Sequence, residues 1–467
     1  MSVYYSIRYK DSAHPNGYPY FFDPKTGKAS WEIPASLVAG SVIKTDDLDT
    51  FLSVAAKANG STDDSRAVPL YYSSPVARVL TPHEIEKLVA LSNGHIRVAQ
   101  PQPGYSLAVK YFSDMEKREA WAFHTDRFGL ELLCHMVMVN QPALAICRHM
   151  LASNPANTDG RLEKDGKDIY KEKKSLLQGV PGQKKVTWTQ KEYAHEGMQL
   201  NYLSIKCWQR FTETWALLER AARLGLMAAH QPGGAYHGLP VRVLSIGGGP
   251  GYELIAFERF FRRFLGGTTT GNGSGGGRGN ACPPMHLVSL DLMPGWRPFV
   301  EAMDMHFDTY DIEKDDLMAT AGRVYRGAAA ARGGNGGAVD PASIVPFHGV
   351  TYVVISYVMI YVTTPAVISM FNSLLQPDGH GGGSAGVRAI LVSERGQQTA
   401  SVGMMEQRGA QVHRLIDQSS GLDERQSIWL HRDTRLGALK EGSLPTIFPN
   451  VPFEDRKEKQ QKRKRYD

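Results

Sequence analysis

Gly247, Gly249 and Gly251 stand two residues apart directly after an apolar run, in VRVLSIGGGPGYEL at 241–254. That spacing lets a backbone turn sharply and lets a ligand approach the main chain without meeting a Cβ. About forty residues on, MHLVSLDLMP at 285–294 carries Asp291, where a carboxylate can accept a hydrogen bond from each hydroxyl of a ribose. Asp311, in FDTYDIE, is a further acid at the end of an apolar segment, and VTYVVISYVMIYV at 350–362 and VRAILVSE at 387–394 are further apolar runs. Together these residues suit the binding of a nucleotide-like cofactor.

Positioning them requires a parallel sheet. An apolar run, a glycine turn and a helical pattern read as strand, turn and helix, and their recurrence predicts a doubly wound α/β domain. The step from the glycines to Asp291 exceeds the roughly 20 residues usual in dinucleotide folds, and GGTTTGNGSGGGRGNA at 266–281 fills the excess. This stretch and those at 327–338 and 379–386 each follow a helix and precede a strand, so they are expected at the sheet edge remote from the ligand. After the 387–394 run, QVHRLID and RQSIWLHR read as an antiparallel strand pair. A nicotinamide enzyme has no need of that hairpin, although a dinucleotide enzyme and a cofactor-free α/β domain remain the competing readings.

In this order the segment from about 195 to 435 resembles the class I S-adenosylmethionine-dependent methyltransferases. The resemblance implies S-adenosylmethionine as cofactor, bound by Gly247, Gly249 and Gly251, with Asp291 on the ribose and Asp311 on the adenine side. It places Ser356 and Tyr357, after the 350–362 run, against the transferred methyl group. Methyl transfer needs an open line from nucleophile through methyl to sulfur, so orientation is the main task of such residues. Adenine N6 methyltransferases carry an Asn/Asp-Pro-Pro-aromatic motif at this place, whereas this chain has Ile355-Ser356-Tyr357-Val358. Asn450-Val451-Pro452-Phe453 matches that motif only by letters, beyond the final strand pair.

At the other end, residues 4–34 hold three strand-like pieces separated by HPNG and DPKTGK, closing on W-x-x-P. Tyr20, Phe21, Phe22, Asp23, Thr26, Trp31 and Pro34 resemble the WW domain pattern, with Tyr5 or Tyr4 replacing the family's first tryptophan and Asp23-Pro24 its Asn-His. The resemblance implies a clamp of Tyr20 and Trp31 for proline-rich peptides, which are already extended and lose little entropy on binding. The order of a WW module before a methyltransferase domain is similar to that of the cap-specific adenosine methyltransferases, but the missing motif separates the activities.

The expected organisation is therefore a small three-stranded WW domain at 1–36, a linker at 37–80, a helical region at 81–194, a Rossmann-like methyltransferase sheet at 195–436 and a basic tail at 437–467. Within the helical region, apolar spacing predicts helices at 81–92 and from about Glu116 to Met150, broken at Gln141-Pro142. A longer helical pattern at 193–226 precedes the glycine loop, where Tyr202 and Trp208 read as core residues within reach of a pocket.

The net charge is +6 over 467 residues. Seven Lys or Arg crowd RKEKQQKRKRYD at 456–467, so the body is nearly neutral and attraction to phosphate or nuclear import machinery is expected of the tail. Cys134, Cys147, Cys207 and Cys282 are scattered, which argues against a zinc site or a disulfide framework and for reduced thiols. No apolar run reaches the 18 residues of a membrane span, and MSVYYSIRYK lacks the apolar core of a signal peptide, so an intracellular protein, nuclear or nucleolar, is expected. The function these features suggest is methylation of RNA, recruited to proline-rich partners; a protein methyltransferase and an inactive WW scaffold are the alternatives.

Overall fold

The computed structural model describes the side chains chiefly of residues 82–92, 132–170, 188–231, 241–262, 285–324, 350–359, 364–375, 387–394, 402–415 and 426–431, and the remaining ends of these elements and further strands as backbone. Two compact units emerge, residues 1–209 with 301–304 and 447–467, and residues 210–300 with 305–446.

In the first unit, β1 (Val3–Tyr9), β2 (Tyr18–Asp23) and β3 (Lys28–Ser30) pair antiparallel, with Ile7 opposite Tyr20 and Phe21 opposite Ser30. The expected linker is partly sheet: β4 (Val42–Thr45) pairs parallel to β1, and β5 (Leu70–Tyr72) parallel to β4. Helix α1 (Pro82–Leu91) lies where its period predicts.

The region read as helical is mixed. Strands β6 (Ile96–Ala99), β7 (Leu107–Asp114) and β8 (Glu119–Thr125) form an antiparallel sheet before α2 (Arg127–Ser153), so the helix starts eleven residues later than its apolar spacing suggests. EAWAFHT has no polar alternation to mark it as a strand, and its pairing decides the element: Trp121 stands opposite Tyr111 and Phe123 opposite Val109 on β7. The expected break at Pro142 is absent, and α2 continues through it. Proline removes one hydrogen bond within a helix, and Leu132, Val139, Ala143 and Ile146, all buried, hold α2 together by packing instead. Helix α3 (Arg161–Lys171) and the short α4 (Gln190–Tyr193) follow, the latter closed by a reciprocal capping box between Thr189 and Glu192.

Helix α5 (Glu196–Arg223) leads into the second unit, whose sheet is built from β9 (Val241–Ile246), β10 (Met285–Asp291), β11 (His306–Thr309), β12 (Tyr352–Ser356), β13 (Ala389–Glu394), β14 (Gln411–Ile416) and β15 (Arg425–Leu430). Their order across the sheet is β11-β10-β9-β12-β13-β15-β14. The first five are parallel, while β15 runs antiparallel between β13 and β14, as the two C-terminal runs predict. The connecting helices are α6 (Tyr252–Phe264), α7 (Arg297–Ala302), α8 (Leu317–Arg332), α9 (Pro365–Leu374) and α10 (Gln398–Gln407).

The central strands are buried on both faces, as continuous apolar runs require. On one face Leu244, Ile246, Val353, Ile355, Ile390 and Val392 join Phe371 and Trp429 in one core. On the other, Tyr352 meets Phe257 and Phe261 of α6 at 5.7 and 6.0 Å between ring centroids. Trp215 of α5 packs edge-on against Phe260 at 5.3 Å.

The stretches at 266–281 and 379–386, residues 333–338, Trp31, Cys282, 450–453 and the tail lie outside the described residues. Among the described residues, no helix is long and apolar enough to cross a membrane, and no group of His, Cys, Asp or Glu is arranged to hold a metal ion.

Candidate active site

Strand order dictates where a ligand can enter. The chain moves from β9 to β10 and β11 on one side and then returns to place β12 on the other side of β9, so the carboxyl ends of β9 and β12 frame the switch point at which open α/β sheets bind ligands. Residues 247–251 leave β9 there, and residues 356–359 leave β12 beside them.

The glycine loop needs its glycines. Gly247 has φ +62°, and a Cβ on it would strike Cγ2 of Val358, so the two loops are in van der Waals contact. Gly249 has φ +49°, and a Cβ there would lie in ordinary van der Waals contact with Trp296 at 3.8 Å and with Asp291 Oδ2 at 4.0 Å. A nucleoside approaching the main chain at Gly249 would therefore meet an aromatic ring, a carboxylate and bare backbone.

Asp291 ends β10 as predicted and is tied to that loop. The Gly249 amide donates to Oδ2 at 2.9 Å, and the Met293 amide to Oδ1 at 2.8 Å. Each carboxylate oxygen keeps a second lone pair for a ribose hydroxyl. Burial pushes the Asp291 carboxyl up to about 6, with the two amide hydrogen bonds opposing.

Asp311 follows β11 but is absorbed by its own turn. Lys314 Nζ donates to Oδ2 at 2.6 Å and the Glu313 amide to Oδ1 at 3.0 Å, and the lysine bond holds this carboxyl below its ordinary value. The structure thus joins Asp291 to the glycine loop and gives Asp311 to a local turn.

Ser356 closes β12 and is buried, while Tyr357 turns away with φ +59°, a left-handed conformation that costs a tyrosine roughly 1–2 kcal/mol. Three contacts fix it. Its amide donates to the Ser393 carbonyl at 2.9 Å, its hydroxyl donates to Glu213 Oε1 at 2.8 Å, and the Arg210 guanidinium lies 3.8 Å above its ring. Strain held in this way at the end of a central strand is typical of a functional position. Two residues on, the Met359 amide donates to the buried Glu394 carboxylate at 2.5 Å, pinning the loop to the end of β13.

Arg210, Glu213 and Glu253 are residues that sequence patterns left unread. Arg210 and Glu213 stand three apart on α5, and Gln426 of β15 donates to the Glu213 carbonyl at 3.0 Å. Glu253 lies in the first turn of α6, two residues past Gly251, and is 2% exposed. Arg210 Nε approaches Glu253 Oε1 to 3.8 Å, and Oε2 accepts no hydrogen bond among the described residues. Burial raises the Glu253 carboxyl to about 7 against the pull of Arg210, with Glu213 and Asp291 adding to the rise. A usable signal was present in the sequence: a charged pair within the apolar CWQRFTETWALL, and an acid directly after a glycine loop.

Two other expected residues lie elsewhere. Tyr202 belongs to an aromatic cluster with Trp188 and Tyr193, at 6.4 and 6.1 Å, and Trp208 is buried, so core packing accounts for both. Tyr20 lies on β2, where only backbone is described.

No family model and no curated protein matches the chain. Among solved structures it is similar to the mitomycin 7-O-methyltransferase MmcR, with a TM-score of 0.29 and 11% identity over 63% of this chain and 72% of that one. It is also similar to magnesium protoporphyrin IX methyltransferase from Synechocystis PCC 6803 with bound SAM, with a TM-score of 0.27 and 10% identity over 60% of this chain and all of that one. A third is the CMeT domain of the citrinin polyketide synthase, with a TM-score of 0.27 and 14% identity over 82% of this chain and 89% of that one. Scores this low carry no argument about function, which rests on the geometry of the site.

Proposed function

We propose that the second unit is an S-adenosylmethionine-dependent methyltransferase acting on RNA, with the N-terminal strands forming a WW module that recruits it to proline-rich partners in the nucleus. One observation carries the reading: at the switch point the glycine loop, bonded to Asp291, meets the strained Tyr357 loop. A fold without a ligand has no use for a left-handed tyrosine at the end of a central strand.

The residues present fit the cofactor. The backbone of 247–251 and the Asp291 carboxylate would hold the nucleoside, Trp296 would flank it, and Asp311 would lie toward its base. When bound, S-adenosylmethionine supplies a methyl group on a positively charged sulfur. Tyr357 donates its only hydroxyl proton to Glu213, which leaves its oxygen lone pairs to receive the N–H or O–H of an acceptor. A proton leaving that acceptor can pass to Tyr357 Oη as the tyrosine's own proton moves to Glu213 Oε1. Ser356 sets where the loop begins, and Glu394 fixes its far side.

The basic tail favours RNA, and the three antiparallel strands at 3–30 suit a WW sheet. Incubating the protein with methyl-labelled S-adenosylmethionine and cell extract, then treating with nuclease or protease, tests the substrate. Label lost to nuclease supports the proposal, label lost to protease makes the substrate a protein, and no label in either, with cofactor binding intact, overturns RNA as substrate and points to a small molecule or an inactive scaffold. If the tail grips phosphates, removing 456–467 weakens RNA binding and flattens its dependence on salt.

A further inference from the structure

We infer that Glu253 makes this site select the positively charged methyl donor over its neutral demethylated product. The inference rests on the donor reading above and adds to it a residue that distinguishes the two cofactor states.

Glu253 is flanked by the groups that mark both ends of the site. The charges of Asp291, at the end of β10, and of Arg210 and Glu213, on α5, all act on it, and Arg210 and Glu213 also hold Tyr357. With Glu253 itself, the cluster comprises three carboxylates and one guanidinium. The guanidinium is shared, since it stacks on the Tyr357 ring at 3.8 Å and stands 3.8 Å from Glu253 without a hydrogen bond to it. Glu253 Oε2 is buried and accepts no hydrogen bond among the described residues. Burying a carboxylate without full compensation is costly, and here the carboxyl responds by holding its proton up to about pH 7.

A ligand that brings a positive charge between Asp291 and Tyr357 supplies what this cluster lacks. S-adenosylmethionine carries that charge on sulfur, whereas S-adenosylhomocysteine is the same molecule without the methyl group and without the charge. Each turnover would thus remove the charge that Glu253 holds and favour release of the product. Only the charged ligand would displace the Glu253 proton on binding.

The test is calorimetry on the full chain with S-adenosylmethionine and S-adenosylhomocysteine, for wild type, Glu253→Gln and Glu253→Asp. Expected for wild type at pH 8 is a preference for the donor of about tenfold, the equivalent of one unit of carboxyl pKa, shrinking at pH 6. Glu253→Gln should bind both ligands alike, with its affinity for S-adenosylhomocysteine unchanged, and Glu253→Asp should keep part of the preference. Titrations of wild type in buffers of different ionisation enthalpy should show proton release with the donor alone, which decides the matter even if a variant fails to fold. Equal wild-type affinities, or a preference that survives Glu253→Gln, would overturn the inference and leave the methyltransferase reading standing. Wild type that binds neither nucleoside would overturn the donor reading itself.

Discussion

In the ligand-free protein the Glu253 carboxylate should be a measurable liability, and Glu253→Gln exposes it. The folded chain raises this carboxyl from 4.5 to about 7. It therefore binds the proton more tightly than the unfolded chain does, and the resulting stabilisation is complete below pH 4.5 and lost as pH rises through about 7. At pH 8.5 the difference corresponds to roughly 3 kcal/mol, and at pH 5 to about 1 kcal/mol. Glutamine cannot ionise and carries no such penalty, and the attraction between the ionised carboxylate and Arg210 is already contained in the net shift. Urea unfolding of the second unit at pH 5 and pH 8.5, without ligand, should show the stability of Glu253→Gln relative to wild type rising by about 2 kcal/mol between the two. A difference that stays constant with pH, or moves the other way, would refute the view that Glu253 is an under-compensated buried acid.

Gly247→Ala places a methyl group against Val358 on a left-handed backbone, and should cost about 2–3 kcal/mol in thermal unfolding and abolish cofactor binding. Adding Val358→Ala should return the steric part while leaving about 1 kcal/mol of backbone strain. Tyr357→Phe removes the proton link to Glu213, so methyl transfer should fall about 100-fold while the dissociation constant for S-adenosylmethionine changes by less than about threefold. Deleting the glycine-rich stretches at 266–281 and 379–386, which join helix ends to strand starts, should leave S-adenosylmethionine binding intact; lost binding in a titration would contradict the placement of those loops.

Much of the second unit is legible in the chain because its strands are buried on both faces. Runs such as VVIS and AILVSE can be little else once glycine turns bound them, and the terminal hairpin is readable from QVHRLI and RQSIWL. The first unit is harder to read, because EAWAFHT is short enough to pass for the opening of the following helix and Pro142 is tolerated where packing is dense. At the site, Gly247, Gly249 and Asp291 announce themselves through residue type and order. Tyr357 could be placed on a loop but not in a left-handed turn. Arg210, Glu213 and Glu253 are ordinary helix residues in one dimension, and only the crossing of α5 and α6 near the end of β12 brings their charges together. Asp311 shows the converse, since its place after β11 was readable while its bond to Lys314, three residues on, was not.

The strand order described above also bears on how the chain reaches this state. β9 pairs with β12 across about a hundred intervening residues, and the two loops of the site emerge from that pair. Closing a chain loop of that length carries an entropic cost before any contact repays it, and pairing between distant strands is the slow part of folding. Glycine-rich stretches at 266–281 and, past the end of α8, at 333–338 lie inside this interval and lengthen it. The cost grows only as the logarithm of length, so such insertions are tolerated, but each one delays the closure of β9 onto β12. The site therefore cannot close before β12 joins β9. During synthesis, the glycine loop must wait for β12 to leave the ribosome before it can hold a ligand.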